Sequence, residues 1–363
     1  MPYGSGVQSL PGISDPAKLD SWISANADVG QARLTGISLI SGGRSNLTYR
    51  LDLGDAGPGE RPPGTPRDQA LVLRRPPLGH VLPTAHDMSR EYRVLSALAG
   101  TSIPVPAPVA FCDDTEIVGA PFYLMRYVTG RVLRTREDGA NVSAEQARQL
   151  SEFVIDMLAA IHGVDIEAVG LGDFGRPAGY MTRQLARWQR QWVLSNSREV
   201  PGYDDLVRRL AADLPQSTDG TLVHGDLRLD NMLVTLEPTQ VAAVVDWEMS
   251  TLGDPLADLG LTLMYWTDPG DEDWVRVSEG GSVTAIPGFM SRAQAAQRYA
   301  ELTGRDISAI GYYMAFGCFK LAVVLEGIHA RFLQNKTVGE GFEREGPAVP
   351  RLIERAHHLL DVG

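Results

Sequence analysis

Leu222-Val-His224-Gly225-Asp226-Leu-Arg-Leu-Asp-Asn231-Met-Leu-Val234 is the stretch on which the reading of this chain turns. Its apolar ends, Thr221 to Val223 and Met232 to Val234, read as short strands with a polar loop between them. Fifteen residues after Asn231 a further apolar strand, Val241 to Val245, delivers Asp246-Trp247-Glu248. The pattern is a loop carboxylate, an amide oxygen five residues later, and a second carboxylate after a strand. Such groups accept a proton from a hydroxyl and hold a hard cation such as Mg²⁺. Phosphoryl transfer needs those two things and little covalent chemistry. Asp/Asn-rich turns also cap backbone groups, but capping does not call for the joint spacing.

Outward from this stretch the two sides of the chain differ. Ser143 with Gln146 has the form of a capping box, and Leu150, Phe153, Val154, Leu158 and Ile161 recur behind it at helical spacing. Met181 to Val193 and Tyr203 to Leu214 read as further helices. Asp254-Pro255 reads as an N-cap with proline at the first helical position, and Asp258 is placed to brace the Asp226 loop. Before residue 128 strands dominate. Ile37 to Leu53 gives two β segments around Ser41-Gly42-Gly43-Arg44-Ser45-Asn46. Gly54 to Gln69, dense in Gly and Pro, reads as a long hairpin loop, and Ala70 to Leu73 as a strand stopped by Arg74-Arg75-Pro-Pro. Thr84 to Leu98 is helical in pattern, with Thr84 and Asp87 as a cap. Ile103 to Val109 reads as irregular and Phe122 to Val128 as another strand. The expected division is a sheet-rich part, residues 1–128, and a larger helical part, residues 129–363.

The Asp-to-Asn offset is that of the protein-kinase catalytic loop, whose metal-binding Asp also follows a strand. Glycine between His224 and Asp226, Trp-Glu after Asp246, and Gly253-Asp254-Pro255-Leu-Ala-Asp258-Leu together resemble the aminoglycoside phosphotransferase and choline kinase group of small-molecule kinases. That likeness extends over most of the chain. Arg74-Arg75-Pro-Pro, Arg90-Glu91-Tyr92 and Gly170-Leu-Gly-Asp-Phe-Gly175 resemble in particular the kinase-like domains fused to some acyl-CoA dehydrogenases. The resemblance implies an α+β, bilobal protein-kinase-like fold with a small antiparallel-sheet N-lobe and a larger, mainly helical C-lobe. It also implies ATP or GTP with Mg²⁺ in the cleft, and a small-molecule hydroxyl as acceptor. Carried over position by position, Asp226 is the catalytic base and Asn231 and Asp246 are metal ligands. His224 keeps the loop in shape, and Met125 to Val128, with Met125 and Tyr127, is the hinge whose backbone meets the adenine. Glu248 either reaches the metal through water or is a surface charge.

The upstream parts follow the same order. Ser41-Gly42-Gly43-Arg44-Ser45-Asn46 lies where a nucleotide-covering loop belongs, and its glycines let backbone N–H groups approach phosphates. A plain hairpin turn accounts for the same residues taken alone. No Gly-Lys-Ser/Thr follows, so this is not a Walker A loop. The family usually places a lysine at the end of the third strand, pairing phosphates with a helical glutamate. Here Arg74 stands at that place and Glu91 is the helical candidate. Arginine is wider than lysine and differs in geometry, so the usual ion pair is not dictated by residue type. That departure leaves room for a nucleotide-binding scaffold without turnover.

Composition narrows the partners. The 363 residues carry 45 Asp and Glu against 33 Lys and Arg, a net charge of −12. A sequence-independent nucleic-acid binder needs the opposite balance. A nucleotide remains compatible, because a metal ion bridges carboxylates and phosphates. The two cysteines, Cys112 and Cys318, exclude a disulfide scaffold and a cysteine zinc site. They fit a reducing compartment, and cytoplasmic location is the expectation. No secretory signal is expected from the N-terminus, and no membrane span from Ala315 to Ala330, which carries Lys320 and Glu326. The Gly-x-Gly-x-x-Gly run at Gly170 follows a helix rather than a strand, so it is not read as a dinucleotide site.

The acceptor is read two ways. Asp268, Asp271, Glu272 and Asp273 beside Trp266 and Trp274 would suit a polyamine or quaternary ammonium. Arg183, Arg187 and Arg190, near Trp188 and Trp192, would suit an anionic substrate such as a CoA thioester or a phosphorylated sugar. Either set also reads as a solvated face. His162, at the end of its helix, is expected to cap it.

Overall fold

The computed structural model describes residues 10–40, 46–55, 69–78, 87–216, 220–268, 271, 282–334 and 342–362. The nucleotide-loop residues Ser41, Gly42, Gly43, Arg44 and Ser45 lie outside the described residues, as do 56–68 of the expected hairpin loop, Thr84, and Glu272 to Trp274. The chain divides into two compact units, Met1–Thr129 together with Ala242–Glu248, and Gly130–Val241 together with Met249–Gly363.

The first unit holds α1 (Pro16–Asn26), β1 (Ala32–Leu39), β2 (Leu47–Asp55), β3 (Gln69–Arg75), α2 (Met88–Leu98), β4 (Pro108–Cys112), the single turn α3 (Thr115–Val118) and β5 (Phe122–Arg126). Its sheet has the order β1-β2-β3-β5-β4, with neighbouring strands antiparallel. Side chains alternate across the sheet. Tyr49, Leu51, Leu71, Leu73, Phe122 and Leu124 join Leu19 and Ile23 of α1 in one buried cluster. Arg74 is thereby turned to the other face, opposite Tyr123 in the β3–β5 register. Helix α2 packs beside β4 and β5, and Tyr92 lies 6.0 Å from Tyr123, ring to ring. Asp87 caps α2, accepting from the Ser89 and Arg90 amides, and the helix starts at Met88.

The prolines did not keep Ile103–Val109 wholly irregular. Pro108 opens β4, at the sheet edge, where a missing N–H costs no ladder bond. Helix α1 was not foreseen, although Asp15 caps it and Pro16 occupies its first turn.

The second unit is mainly helical. It contains α4 (Ala144–His162), α5 (Tyr180–Ser195), α6 (Tyr203–Ala212), β6 (Thr221–Val223), β7 (Met232–Leu236), the start of β8 (Thr239–Val244), β9 (Thr251–Gly253), α7 (Pro255–Tyr265), α8 (Arg292–Thr303), α9 (Ile310–Leu333) and α10 (Glu345–Val362). The Ser143–Gln146 capping box on α4 is present in both directions. β6 pairs with β9 and β7 with β8.

Helix α9 is the axis of this unit, packed by α5, α7 and α10. By length and composition it could cross a membrane. Here Ala315, Cys318, Phe319, Ala322 and Val323 are buried in the core with Trp188, Trp192 and Leu206. Gly260 lets α7 approach α9: a Cβ there would lie 2.6 Å from the Tyr313 carbonyl carbon.

Candidate active site

The loop between β6 and β7 is fixed from below by one carboxylate. Asp258, on the first turn of α7, accepts from the His224 amide at 2.7 Å and the Gly225 amide at 2.9 Å. His162 Nε2 lies 3.2 Å from the same carboxylate, and His162 Nδ1 lies 2.6 Å from the Tyr299 hydroxyl. Burial works against the Asp258 charge, but the hydrogen bond from His162 and its other polar neighbours hold the carboxyl below its usual range. His162 therefore does not serve as a helix cap. It is buried between Asp258 and Tyr299.

Gly225 sits at φ +85°, and a Cβ there would lie 2.7 Å from the Met249 carbonyl oxygen. That conformation and that contact both select glycine. The Asp226 amide donates to His224 Nδ1 at 3.3 Å, so the ring stabilises the turn. Asn231 ends a short 3₁₀ turn, and its Nδ2 donates to the Asp226 backbone oxygen at 2.8 Å and to Asp226 Oδ2 at 3.1 Å. With the amide hydrogens engaged there, Oδ1 of Asn231 remains the acceptor end of the side chain. Arg228 bonds Asp230 at 2.7 Å, stands 3.6 Å from Asp226, and lies over the Tyr265 ring.

In the other unit Arg74 is the hub. Its Nε bonds Glu91 at 2.9 Å and its Nη2 bonds Asp246 Oδ1 at 2.5 Å, with Glu248 at 3.7 Å. The guanidinium thus spans the helical glutamate and the Asp-Trp-Glu turn, so arginine does form the ion pair left open by its shape. Burial opposes the guanidinium charge, but Glu91, Asp246 and Glu248 more than offset it and raise the Arg74 pKa. Glu91 is buried and hydrogen-bonded to Tyr123, and burial pushes its pKa up despite Arg74. Asp246 takes φ +68°, in the left-handed region that non-glycine residues rarely adopt. Glu248 is not a solvated surface charge: it accepts from Asn46 Nδ2 at 2.9 Å and is 18% exposed. Asn46 is buried, and its Oδ1 has no hydrogen-bond partner among the described residues. Met125 is buried in β5, while the Tyr127 amide donates to Ala70 and its exposed ring lies under Arg50.

Each unit offers an oxygen of the kind that Mg²⁺ takes. Asn231 offers an amide oxygen, and Asp246 keeps Oδ2 without a partner among the described residues. Magnesium is usually held by one or two protein oxygens with phosphates and water completing the shell. Three-residue clusters of His, Cys, Asp or Glu suited to a metal do not occur among the described residues.

The two acceptor features fare differently. Asp268 and Asp271 are tied to Arg292, at 3.6 and 2.5 Å, so they do not form a free acidic cage. Trp266 is buried and donates to Met290. Of the arginine stripe, Arg183 donates to the carbonyls of Ala178 and Arg176, and Arg187 lies 5.3 Å from the Trp188 ring centroid.

The chain belongs to the phosphotransferase enzyme family, whose model matches residues 36–284. It is 33% identical over 317 residues to acyl-CoA dehydrogenase family member 10 of Mus musculus, covering 86% of this chain and 28% of that protein. To acyl-CoA dehydrogenase family member 11 of Gallus gallus it is 33% identical over 325 residues, covering 88% and 40%. The chain thus spans less than half the length of these curated relatives. A solved structure from Ralstonia eutropha, described as a candidate aminoglycoside phosphotransferase, matches with TM-score 0.79 and 32% identity, covering 96% of this chain and 98% of that one. A macrolide 2′-phosphotransferase from Brachybacterium faecium (TM-score 0.55, 19% identity, 92% and 97% covered) shares the fold. So does an ethanolamine kinase from Plasmodium vivax (TM-score 0.53, 12% identity, 88% and 81% covered). The architecture is the α+β fold of protein-kinase-like phosphotransferases.

Proposed function

We propose that this chain is a Mg²⁺-dependent kinase that transfers the γ-phosphoryl group of ATP or GTP to a hydroxyl of a small molecule. The observation that carries the reading is the double hydrogen bond from Asn231 to the backbone and carboxylate of Asp226, on a loop clamped by Asp258. It holds the base and an oxygen donor in fixed register. Asp226 accepts the proton of the attacking hydroxyl, and Asn231 Oδ1 and the Asp246 carboxylate are the groups that would hold the metal. Bound Mg²⁺ would neutralise the charge on the phosphoryl oxygens. Arg74 supplies a further fixed positive charge at Asp246. One solved protein of the same fold, an aminoglycoside 2′-phosphotransferase-IIIa with TM-score 0.56 and 13% identity, is described as a GDP complex.

The acceptor classes in play are aminoglycoside-like amines, which the fold relatives' names bring forward, and hydroxyacyl-CoA thioesters or other metabolites, which the acyl-CoA dehydrogenase relatives bring forward. An ATP-consumption screen over aminoglycosides, choline-like amines, sugars and hydroxyacyl-CoAs, with product mass confirmed, tests the reading. Phosphorylated product lost in Asp226→Ala supports it. Full activity in that variant overturns the assignment of the base. The second reading is a nucleotide-binding scaffold, favoured by arginine at position 74; phosphoryl transfer to any small acceptor eliminates it.

A further inference from the structure

A second polar site lies within the C-terminal unit, beside the loop that carries Asp226. A small cavity of about 30 Å³, open to solvent, is lined by Tyr180, Gln184, Gly225, Asp258, Phe316 and Lys320 among others. Lys320 projects from the middle of α9. Its ammonium donates to the Gly225 carbonyl at 3.2 Å and lies 5.8 Å from the Trp188 ring centroid. An ammonium has three hydrogens to donate, and the Gly225 carbonyl is the one acceptor found for Lys320 among the described residues. No carboxylate among them comes within ion-pair distance of it. The Tyr180 hydroxyl and the Gln184 amide likewise have no hydrogen-bond partner among the described residues, and both line the same cavity. Asp258 lines it too, but its two oxygens are already taken by His224, Gly225 and His162.

The uncommitted groups are thus an ammonium, a phenol and an amide. The ammonium can only donate, while the phenol and the amide can donate or accept, so a ligand that presents acceptor oxygens can engage all three. A polyamine would bring ammonium groups against Lys320 and Arg187; the Arg187 charge already acts on Lys320, opposed by the charges of Asp226 and Asp258. Removing one partner of a charged hydrogen bond is worth more than a neutral one, because the other is left unpaired.

We infer that the Lys320–Tyr180–Gln184 cavity receives the oxygen-bearing end of the acceptor, and that Lys320 sets specificity by binding a carbonyl or carboxylate oxygen there. The inference rests on the phosphotransfer reading for its connection to turnover, so the test separates the two. Kinetics are measured with 3-hydroxybutyrate, its coenzyme A thioester, choline and kanamycin, using wild type, Lys320→Met and Lys320→Arg. Binding of the same four compounds is followed by calorimetry without nucleotide.

The expected result is preference for the two oxygen-bearing probes, with Lys320→Met raising their KM or Kd by about tenfold to a hundredfold. The KM for MgATP stays within about twofold, because Lys320 belongs to the C-terminal unit and the Arg74 cluster to the other, and Lys320→Arg recovers part of the loss. Binding that depends on Lys320 without turnover supports the subsite and overturns the kinase reading. Turnover or binding of the oxygen-bearing probes that is indifferent to Lys320→Met overturns the subsite. So does preference for kanamycin or choline, or failure of the wild type to bind either oxygen-bearing probe. If Lys320→Met fails to fold, Gln184→Leu is measured instead and is expected to raise the same KM or Kd by about tenfold; no change in that variant overturns the subsite.

Discussion

Arg74 and Asp246 are joined at 2.5 Å although 172 positions separate them in the chain. The same guanidinium also holds Glu91, which is 2% exposed, so one cation compensates two carboxylates. Removing it leaves Glu91 buried and unpaired. Arg74→Met is expected to lower stability by about 3 kcal/mol and to weaken MgATP binding. Arg74→Lys keeps the charge but loses the bidentate reach, and is expected to fall between wild type and Arg74→Met in both. Urea unfolding and calorimetry with MgATP measure the two effects. Unchanged stability in Arg74→Met would contradict the compensation.

Asp226 and Asp246 should separate chemistry from binding. Asp226→Ala is expected to reduce kcat by about 10²-fold to 10⁴-fold while nucleotide affinity stays nearly intact. Asp246→Ala is expected to weaken nucleotide binding chiefly in the presence of Mg²⁺. Calorimetry with and without Mg²⁺ checks the contrast, and an equal loss in both conditions for Asp246→Ala would remove it from the metal site.

Asp258 gives a pH dependence with a definite sign. Its folded pKa lies below the ordinary value of 3.8. The stability it contributes is therefore fully present above that value and lost as pH falls through the folded pKa. Asp258→Asn is expected to cost about 2 kcal/mol at neutral pH and to flatten the acid limb of the stability curve below about pH 4. Unfolding midpoints measured from pH 2 to pH 7 report both. An acid limb as steep as that of the wild type would show that another group carries it.

Gly260 should not accept a side chain. Its Cβ would meet the backbone of Tyr313, which cannot move without shifting α9. Gly260→Ala is expected to destabilise by about 1–3 kcal/mol despite alanine's better helix propensity. Thermal unfolding gives the sign directly, and a stabilised variant would mean that α7 and α9 slide apart freely.

The parts of the site that sequence exposes are those held by local rules. Asp226 and Asn231 are five residues apart, so their spacing survives in the text of the chain, and Asp254-Pro255 announces its helix by a cap and a fixed φ. Glu248 and Asn46 are 202 positions apart, and only the folded chain tells that one holds the other. His162 reads as a helix end because its partners, Asp258 and Tyr299, come from helices far along the sequence. Lys320 was visible only as a charge interrupting an apolar run; its position beside Gly225 depends on the packing of α9. β9 is three residues long, too short for any alternation to register. The available signals were modest: Asp15-Pro16 for α1, and a lysine in the middle of a largely apolar helix for the cavity beside Gly225.

The compact units do not correspond to a single cut in the chain. Ala242–Glu248 clusters with residues from the first third, and the Val244 amide donates to the Pro104 carbonyl there at 2.7 Å. A gene fragment ending at residue 129 would therefore lack Asp246 and Glu248, stranding Arg74 with one carboxylate and Asn46 with none. The complementary fragment would carry that seven-residue insert away from its docking place. During synthesis the N-terminal unit must wait for more than a hundred further residues before its own last segment arrives. Split-protein designs, domain swaps and circular permutations of this chain have to treat that returning segment as property of the N-terminal half.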